Sequence, residues 1–505
     1  MARPAMNEVD YTDVQGLLRF GYGRLTQAAY AVLRVKHPAA ARAWLRAAPV
    51  SNAMFASPPP ATALQVALTA PGLRALGVPE SAIAGFSLPF RSGMTQESRA
   101  RQLGDVESNA PEYWQWGNPA SEVHLVVMFF GQPDSFDTFV RSIADDAWDA
   151  AFSQVHWLKT ENLDGVEPFG FADGISEPKL DWKQQRQAPH TEFSYGNLVA
   201  LGELLLGYPN EYGKITDRPL LDADAANANL LPALDAPQKK DLGRNGSSLV
   251  IRQLEQDVRG FWQFVHQQSG GDAAQAQTLA AKMVGRTRAG DPLVPAQQQA
   301  IPGTGSKPEP IQQNQFTYDQ DPAGAGCPFG AHIRRANPRN ADFPKRPPNL
   351  LKKLLILLGF GTPGFRDDLM SSVRFHRILR RGREYGRELK PEDALSPAPP
   401  DDPKRGLHFI CLNANISRQF EFVQNAWMAS SKFSALTGES DPLLGNRQPI
   451  PGCPTTSDFT VQRDGALRQR VTGLPRFVTV RGGAYFFLPS LRALRYIAGA
   501  GAEDV

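Results

Sequence analysis

Apolar positions along the chain fall into short runs of two kinds. Segments 29–35 (AYAVLRV), 61–68 (ATALQVAL), 123–130 (VHLVVMFF), 153–158 (SQVHWL), 246–255 (GSSLVIRQLE) and 406–413 (GLHFICLN) are short, rich in β-branched and aromatic residues, and predict strands. Segment 14–25 (VQGLLRFGYGRL) reads the same way, and 476–488 reads as a strand pair, VTVRG and AYFFL. Between them lie helical patterns at 38–48, 71–76, 135–151, 258–266 and 272–284. Pro38 opens the first of these, and Gly77 and Gly285 stop two others. Segment 416–428 puts Ile416, Phe420, Val423 and Trp427 on one helical face. Strands and helices mix without strict alternation, which predicts an α+β fold with a mainly antiparallel sheet. The second half of the chain repeats the layout of the first, with no short-period sequence repeat.

The stretches that break this pattern are turns and loops. Segment 167–178 (EPFGFADGISEP) is a glycine-punctuated turn, 222–238 a polar exposed loop, and 286–319 a long connection. Segment 349–360 (NLLKKLLILLGF) is amphipathic at its start and apolar afterwards. At that length it reads as a core helix, with docking to a surface as the alternative. It is too short to span a bilayer.

Composition narrows the class. The chain has 505 residues, 42% hydrophobic and 21% charged, with a net charge of +3. Those are values of a soluble globular protein, and the charge gives no reason to expect nucleic acid as a partner. Three cysteines, Cys327, Cys411 and Cys453, form no CxxC pair and no even framework. With no signal-peptide pattern and no transmembrane segment, they predict a cytoplasmic protein with reduced thiols.

Three stretches carry candidate chemistry. In CPFGAHIRRANPR, His332 sits on a turn-rich element with Arg334, Arg335 and Arg339 behind it. An imidazole held there can ligate a haem iron, and the guanidinium groups can meet carboxylates. In GFADG, Asp173 lies beside Gly174, with Phe169 and Phe171 as a shield that would raise its pKa. In RFHRILRRGREYG, Arg380 could stabilise negative charge on a bound oxygen species.

In this order, GxxDG, AHIRRANPR and RILRRGxxYG resemble the dye-decolourising peroxidase family. The likeness extends to ALTAPGLRALGVP, RARQLGD, ELLLGYPNEYG, RNGSSLVIRQLEQDV, VGRTRAGDPL, FEFVQNAW and DPLLG, and so covers roughly residues 13–488. The resemblance implies one of the longer subfamilies and two ferredoxin-like halves, with one haem b per chain between them. The expected division is 1–190 for the first half, 191–319 for an extension and connection, and 320–505 for the half that carries the iron ligand.

By the same resemblance, His332 is the proximal ligand, Asp173 the distal acid-base carboxylate and Arg380 the distal arginine. Arg374, Arg377 and Arg381 compete with Arg380. Leu407 and Phe409 would form the apolar distal wall, and Arg335 a contact to a haem propionate. Asp441 is the expected hydrogen-bond partner of His332, with Glu421 in reserve. The implied activity is reduction of hydrogen peroxide with an organic reductant such as a dye or phenol. Tyr385 and Trp427 are candidate electron relays from the surface. The alternative is a haem-handling protein with incidental peroxidase activity.

Overall fold

The structure, a computed structural model, describes residues 8–185, 197–294, 313–314, 316–339 and 373–499. The helix expected at 349–360 lies outside the described residues.

The first unit follows the apolar runs closely. It comprises β1 (Gln27–Val35), α1 (Pro38–Ala47), β2 (Thr62–Leu68), β3 (Leu125–Gly131), α2 (Pro133–Ile143) and β4 (Phe152–Lys159). Proline at the first turn starts both helices, where its missing N–H costs nothing. Alternate residues of β1 serve opposite faces of the sheet. Ala29, Ala31 and Leu33 enter one apolar core, and Ala28, Tyr30 and Val32 the other. Burial on both faces explains why these strands read as near-continuous apolar runs. The antiparallel order is β4–β1–β3–β2.

The second unit repeats this plan with more inserted between its parts. It comprises β5 (Ser247–Gln256), α3 (Val258–Gln268), α4 (Ala273–Val284), α5 (His332–Ala336), β6 (Leu379–Arg380), β7 (Arg383–Tyr385), β8 (Gly406–Asn413) and β9 (Val478–Leu488). Its order, β9–β5–β8 with β6 and β7 outermost, is that of the first unit: fourth strand, first, third, second. These are two ferredoxin-like halves. They join where β9 meets β2, with Phe487 opposite Leu68, and make one continuous sheet.

The expected division places the start of the second half too late. Its first strand, β5, lies within 191–319, because the partners of that strand, β8 and β9, come much later in the chain. Three elements also differ from expectation. Within 14–25 only Leu17–Phe20 is regular, and it is helical, ended by Gly21 in the left-handed region at φ 62°. Segment 135–151 is two helices, because Asp145 caps a new one by accepting the Trp148 N–H at 3.1 Å. The expected strand pair at 476–488 is a single strand with a bulge between Val480 and Gly482.

The chain from Ser417 to Ala429 is helical, as its periodicity predicts, but with the wider π turn. The Glu421 N–H reaches back to the Ile416 carbonyl at 2.9 Å, five residues earlier. All four apolar residues expected on its buried face are buried.

Candidate active site

A cavity of about 250 Å³ lies on the helical side of the second unit. Segment 167–176, which follows β4, is the contribution of the N-terminal part of the chain to its lining. Each sequence-predicted stretch reaches it through a different element. α5 brings His332 at its first position, the loop after β4 brings Asp173, and β6 brings Arg380. Leu407 and Phe409, two residues apart on β8, point to the same side and line it together. The wide-turned helix adds Phe420, Val423, Gln424, Trp427 and Met428.

His332 is held by its far nitrogen. Its Nδ1 lies 3.2 and 3.1 Å from the two carboxylate oxygens of Asp441. Asp441 is fully buried and is fixed in turn by the N–H groups of Leu443 and Leu444, at 2.9 and 2.7 Å from Oδ1. Burial opposes the charge of this carboxylate, but the His332 ring and its hydrogen bond outweigh burial and hold the pKa below the usual aspartate range. With Nδ1 engaged, the other ring nitrogen, Nε2, is left for a ligand. Glu421, the reserve candidate, is engaged elsewhere. It accepts from Arg99 at 2.8 Å and from the Tyr485 hydroxyl at 2.9 Å.

Asp173 and Arg380 form a direct pair, with Nη1 donating to Oδ1 at 2.9 Å. Gly174, at φ 75°, turns the chain immediately after Asp173, and its N–H also reaches the carboxylate. Both expected effects act on this pKa, the phenylalanine shield raising it and the Arg380 cation lowering it, and the cation prevails. Burial pushes it up, but the Arg380 charge and the Gly174 N–H outweigh burial, so the carboxyl sits below its ordinary value. Arg380 has a second partner that the sequence did not suggest. Glu177 accepts from Nη2 at 2.9 Å and from the Arg380 backbone N–H at 2.8 Å. Asp173 and then Glu177 hold the guanidinium more firmly charged than usual.

The competing arginines separate clearly. Arg381 turns away, donating to the carbonyls of Leu17 and Leu18. Arg374 lies over the Phe375 ring at 4.6 Å. Arg377 lines the cavity but donates to Asn197 Oδ1 at 2.8 Å.

Arg335 corrects the expected propionate contact. Its guanidinium is completely buried and donates to the carbonyls of Gly330, Trp427, Ser430 and Glu439. It clamps α5 to the chain around it and does not line the cavity. The basic groups that do are Arg286, Arg339, His376 and Arg377, beside Arg380. Neither proposed relay is at the surface: Tyr385 is buried and stacks on His408 at 4.6 Å, and Trp427 is buried against the cavity.

No family model matches the chain. Individual relatives do. A dye-decolorizing peroxidase of Mycetinis scorodonius is 28% identical over 461 residues, 87% of this chain and 77% of the relative. Another, from Auricularia auricula-judae, is 26% identical over 519 residues, 98% of this chain and 88% of the relative. A dye-decolorizing peroxidase solved in complex with 2,6-dimethoxyphenol superposes with a TM-score of 0.69 at 24% identity, covering 97% of this chain and all of that one. Similarity over nearly the whole length, with the same fold and a cavity that gathers His332, Asp173 and Arg380, places the chain in the dye-decolorizing peroxidase family.

Proposed function

We propose that this protein is a haem-dependent peroxidase that reduces hydrogen peroxide to water and oxidises organic donors such as dyes and phenols. The observation that carries the reading is one apolar-walled cavity lined both by His332, which Asp441 backs from behind, and by the Asp173–Arg380 ion pair. The residues fit one haem b per chain. His332 offers a nitrogen to the iron, Leu407, Phe409, Phe420 and Leu443 offer apolar walls, and Arg286, Arg339, His376 and Arg377 can meet the carboxylate groups. Bound there, haem supplies the iron that receives peroxide and the oxidising power passed to the donor.

The protein's own groups handle the protons and the charge. Asp173, held as the carboxylate by Arg380, can accept a proton from one peroxide oxygen and return it to the oxygen that leaves as water. Arg380, fixed by Asp173 and Glu177, stabilises the negative charge that develops as the O–O bond breaks. Asp441 keeps the His332 ring in one orientation and makes it a stronger donor to iron. A haem carrier has no need of a charged acid–guanidinium pair in this cavity, and that pair favours an enzyme over the haem-handling alternative.

Among the described residues no helix is long and apolar enough to cross a membrane. All three cysteines are unpaired, which fits a reducing, cytoplasmic setting. The test is turnover of hydrogen peroxide with 2,6-dimethoxyphenol, the phenol named with the solved relative. The peroxidase reading expects many oxidations per haem. Bleaching after a few would favour the haem-handling alternative.

A further inference from the structure

The cavity contains a second carboxyl that peroxide cleavage, as derived above, does not use. Glu167 opens the turn that carries Asp173 and lines the same cavity. Its oxygens accept three hydrogen bonds: from the Phe171 N–H at 3.0 Å, from the Phe169 N–H at 3.1 Å and from Gln256 Nε2 at 2.8 Å. Gln256 comes from β5 and is buried, and its Oε1 has no hydrogen-bond partner. A side-chain amide can serve either protonation state of a neighbouring acid. Nε2 donates to a carboxylate, and Oε1, with the amide turned over, accepts from a carboxyl O–H.

The reaction needs such a group. Converting one hydrogen peroxide to two waters consumes two electrons and two protons. Phenolic donors supply the electrons and release their protons where they are oxidised. Asp173 only moves protons that peroxide already carries, and Arg380 keeps it charged. Protons for the remaining water must therefore be delivered into the cavity.

We infer that Glu167, paired with Gln256, is the proton-holding group that delivers them, and that it also positions the Asp173 turn. The inference rests on the peroxidase reading. Burial pushes the Glu167 carboxyl up to about 7, against its hydrogen bonds, and the nearby Asp173 charge adds to the rise. It therefore carries a proton below neutral pH and empties above it. The charged or titratable groups around it are Asp173 on its own turn, and Arg286, His332 and Arg380 across the cavity. Arg288 donates to the Gly170 carbonyl at 3.2 Å, and Arg405 reaches Gln256 only through its backbone carbonyl.

Infrared titration of the haem-loaded protein tests the proton directly. We expect a protonated-carboxyl band that disappears as pH rises through about 7 and is missing in Glu167→Gln. Steady-state phenol oxidation should fall at least ~10-fold in that variant and lose its alkaline limb near neutrality. Gln256→Leu, which leaves the carboxyl in place, should shift both the band and the limb. An unchanged band in Glu167→Gln, or an alkaline limb that survives in both variants, would overturn the inference. Absence of peroxide turnover by the wild-type protein would instead count against the peroxidase reading, and the infrared band would still report on Glu167.

Discussion

Two carboxylates share the Arg380 guanidinium, Asp173 on one arm and Glu177 on the other. This division separates their effects. Arg380→Leu removes the charge that stabilises O–O cleavage and should slow the reaction with peroxide at every pH, by ~10²–10³-fold or ~2.7–4 kcal/mol. Asp173→Asn keeps the shape but loses proton transfer, typically ~10²–10⁴-fold. The sign of the pH effect follows from the depressed pKa of Asp173. The wild-type base is present above that pKa, and the rate should fall as pH drops through it, whereas the Asp173→Asn rate should lack this acid limb. Stopped-flow measurement against pH separates the two variants. A wild-type rate in Asp173→Asn across the acid range would exclude Asp173 as the base. His332, Asp173 and Arg380 stood out in the sequence because each sits in a contiguous stretch that resembles a family motif, and the fold brings all three to one cavity. Glu177 and Glu167 did not, since a carboxylate beside a turn looks like solvated surface until its partners are placed. Sequence set two opposing effects on Asp173, burial by its phenylalanine neighbours and the Arg380 charge, and only the placement of an arginine 207 residues away shows that the charge wins.

α5 is only five residues long and could not hold a ligand by itself. Arg335 supplies the restraint by joining the carbonyl of Gly330 before the helix to those of Trp427, Ser430 and Glu439 beyond it. Arg335→Met would leave buried carbonyls without donors, at ~1–3 kcal/mol for each group left unpaired. Thermal denaturation should show a clear loss of stability, while haem carboxylates should still be held by the arginines that line the cavity. A variant with full stability and lost haem affinity would restore Arg335 as a propionate contact. Sequence alone misplaced it because an arginine behind a ligand histidine looks the same whether it faces a carboxylate or four carbonyls. The Ser417–Ala429 helix shows a related limit. Its apolar spacing fits an ordinary helix, and only the backbone shows the wider turn of the segment that lines the cavity with Val423, Gln424, Trp427 and Met428.

For the whole molecule, two units of the same strand order join edge to edge, and the chemistry gathers on the second. The duplication was legible from the repeated strand–helix layout. The boundary was not, because β5 is separated from β8 by the 149 residues 257–405, and only strand pairing assigns it to the second unit. All three cysteines are unpaired in the fold, with Cys327 and Cys411 buried. Thiol counting on unfolded protein prepared under trapping conditions should therefore find three free thiols, and a disulfide would contradict both the fold and the proposed compartment.

The central claim is that His332 is the haem ligand, and a second histidine in the same cavity makes the test sharp. His376 also lines it, with its Nδ1 directed at the Arg418 carbonyl and its ring stacked on Phe422 at 3.7 Å. The deciding measurement is haem content and visible spectrum of the full-length protein beside His332→Ala and His376→Ala. The account predicts loss of stable haem loading in His332→Ala, and a wild-type ligation spectrum in whatever haem His376→Ala retains. Full loading with an unchanged spectrum in His332→Ala, and its loss in His376→Ala, would contradict it.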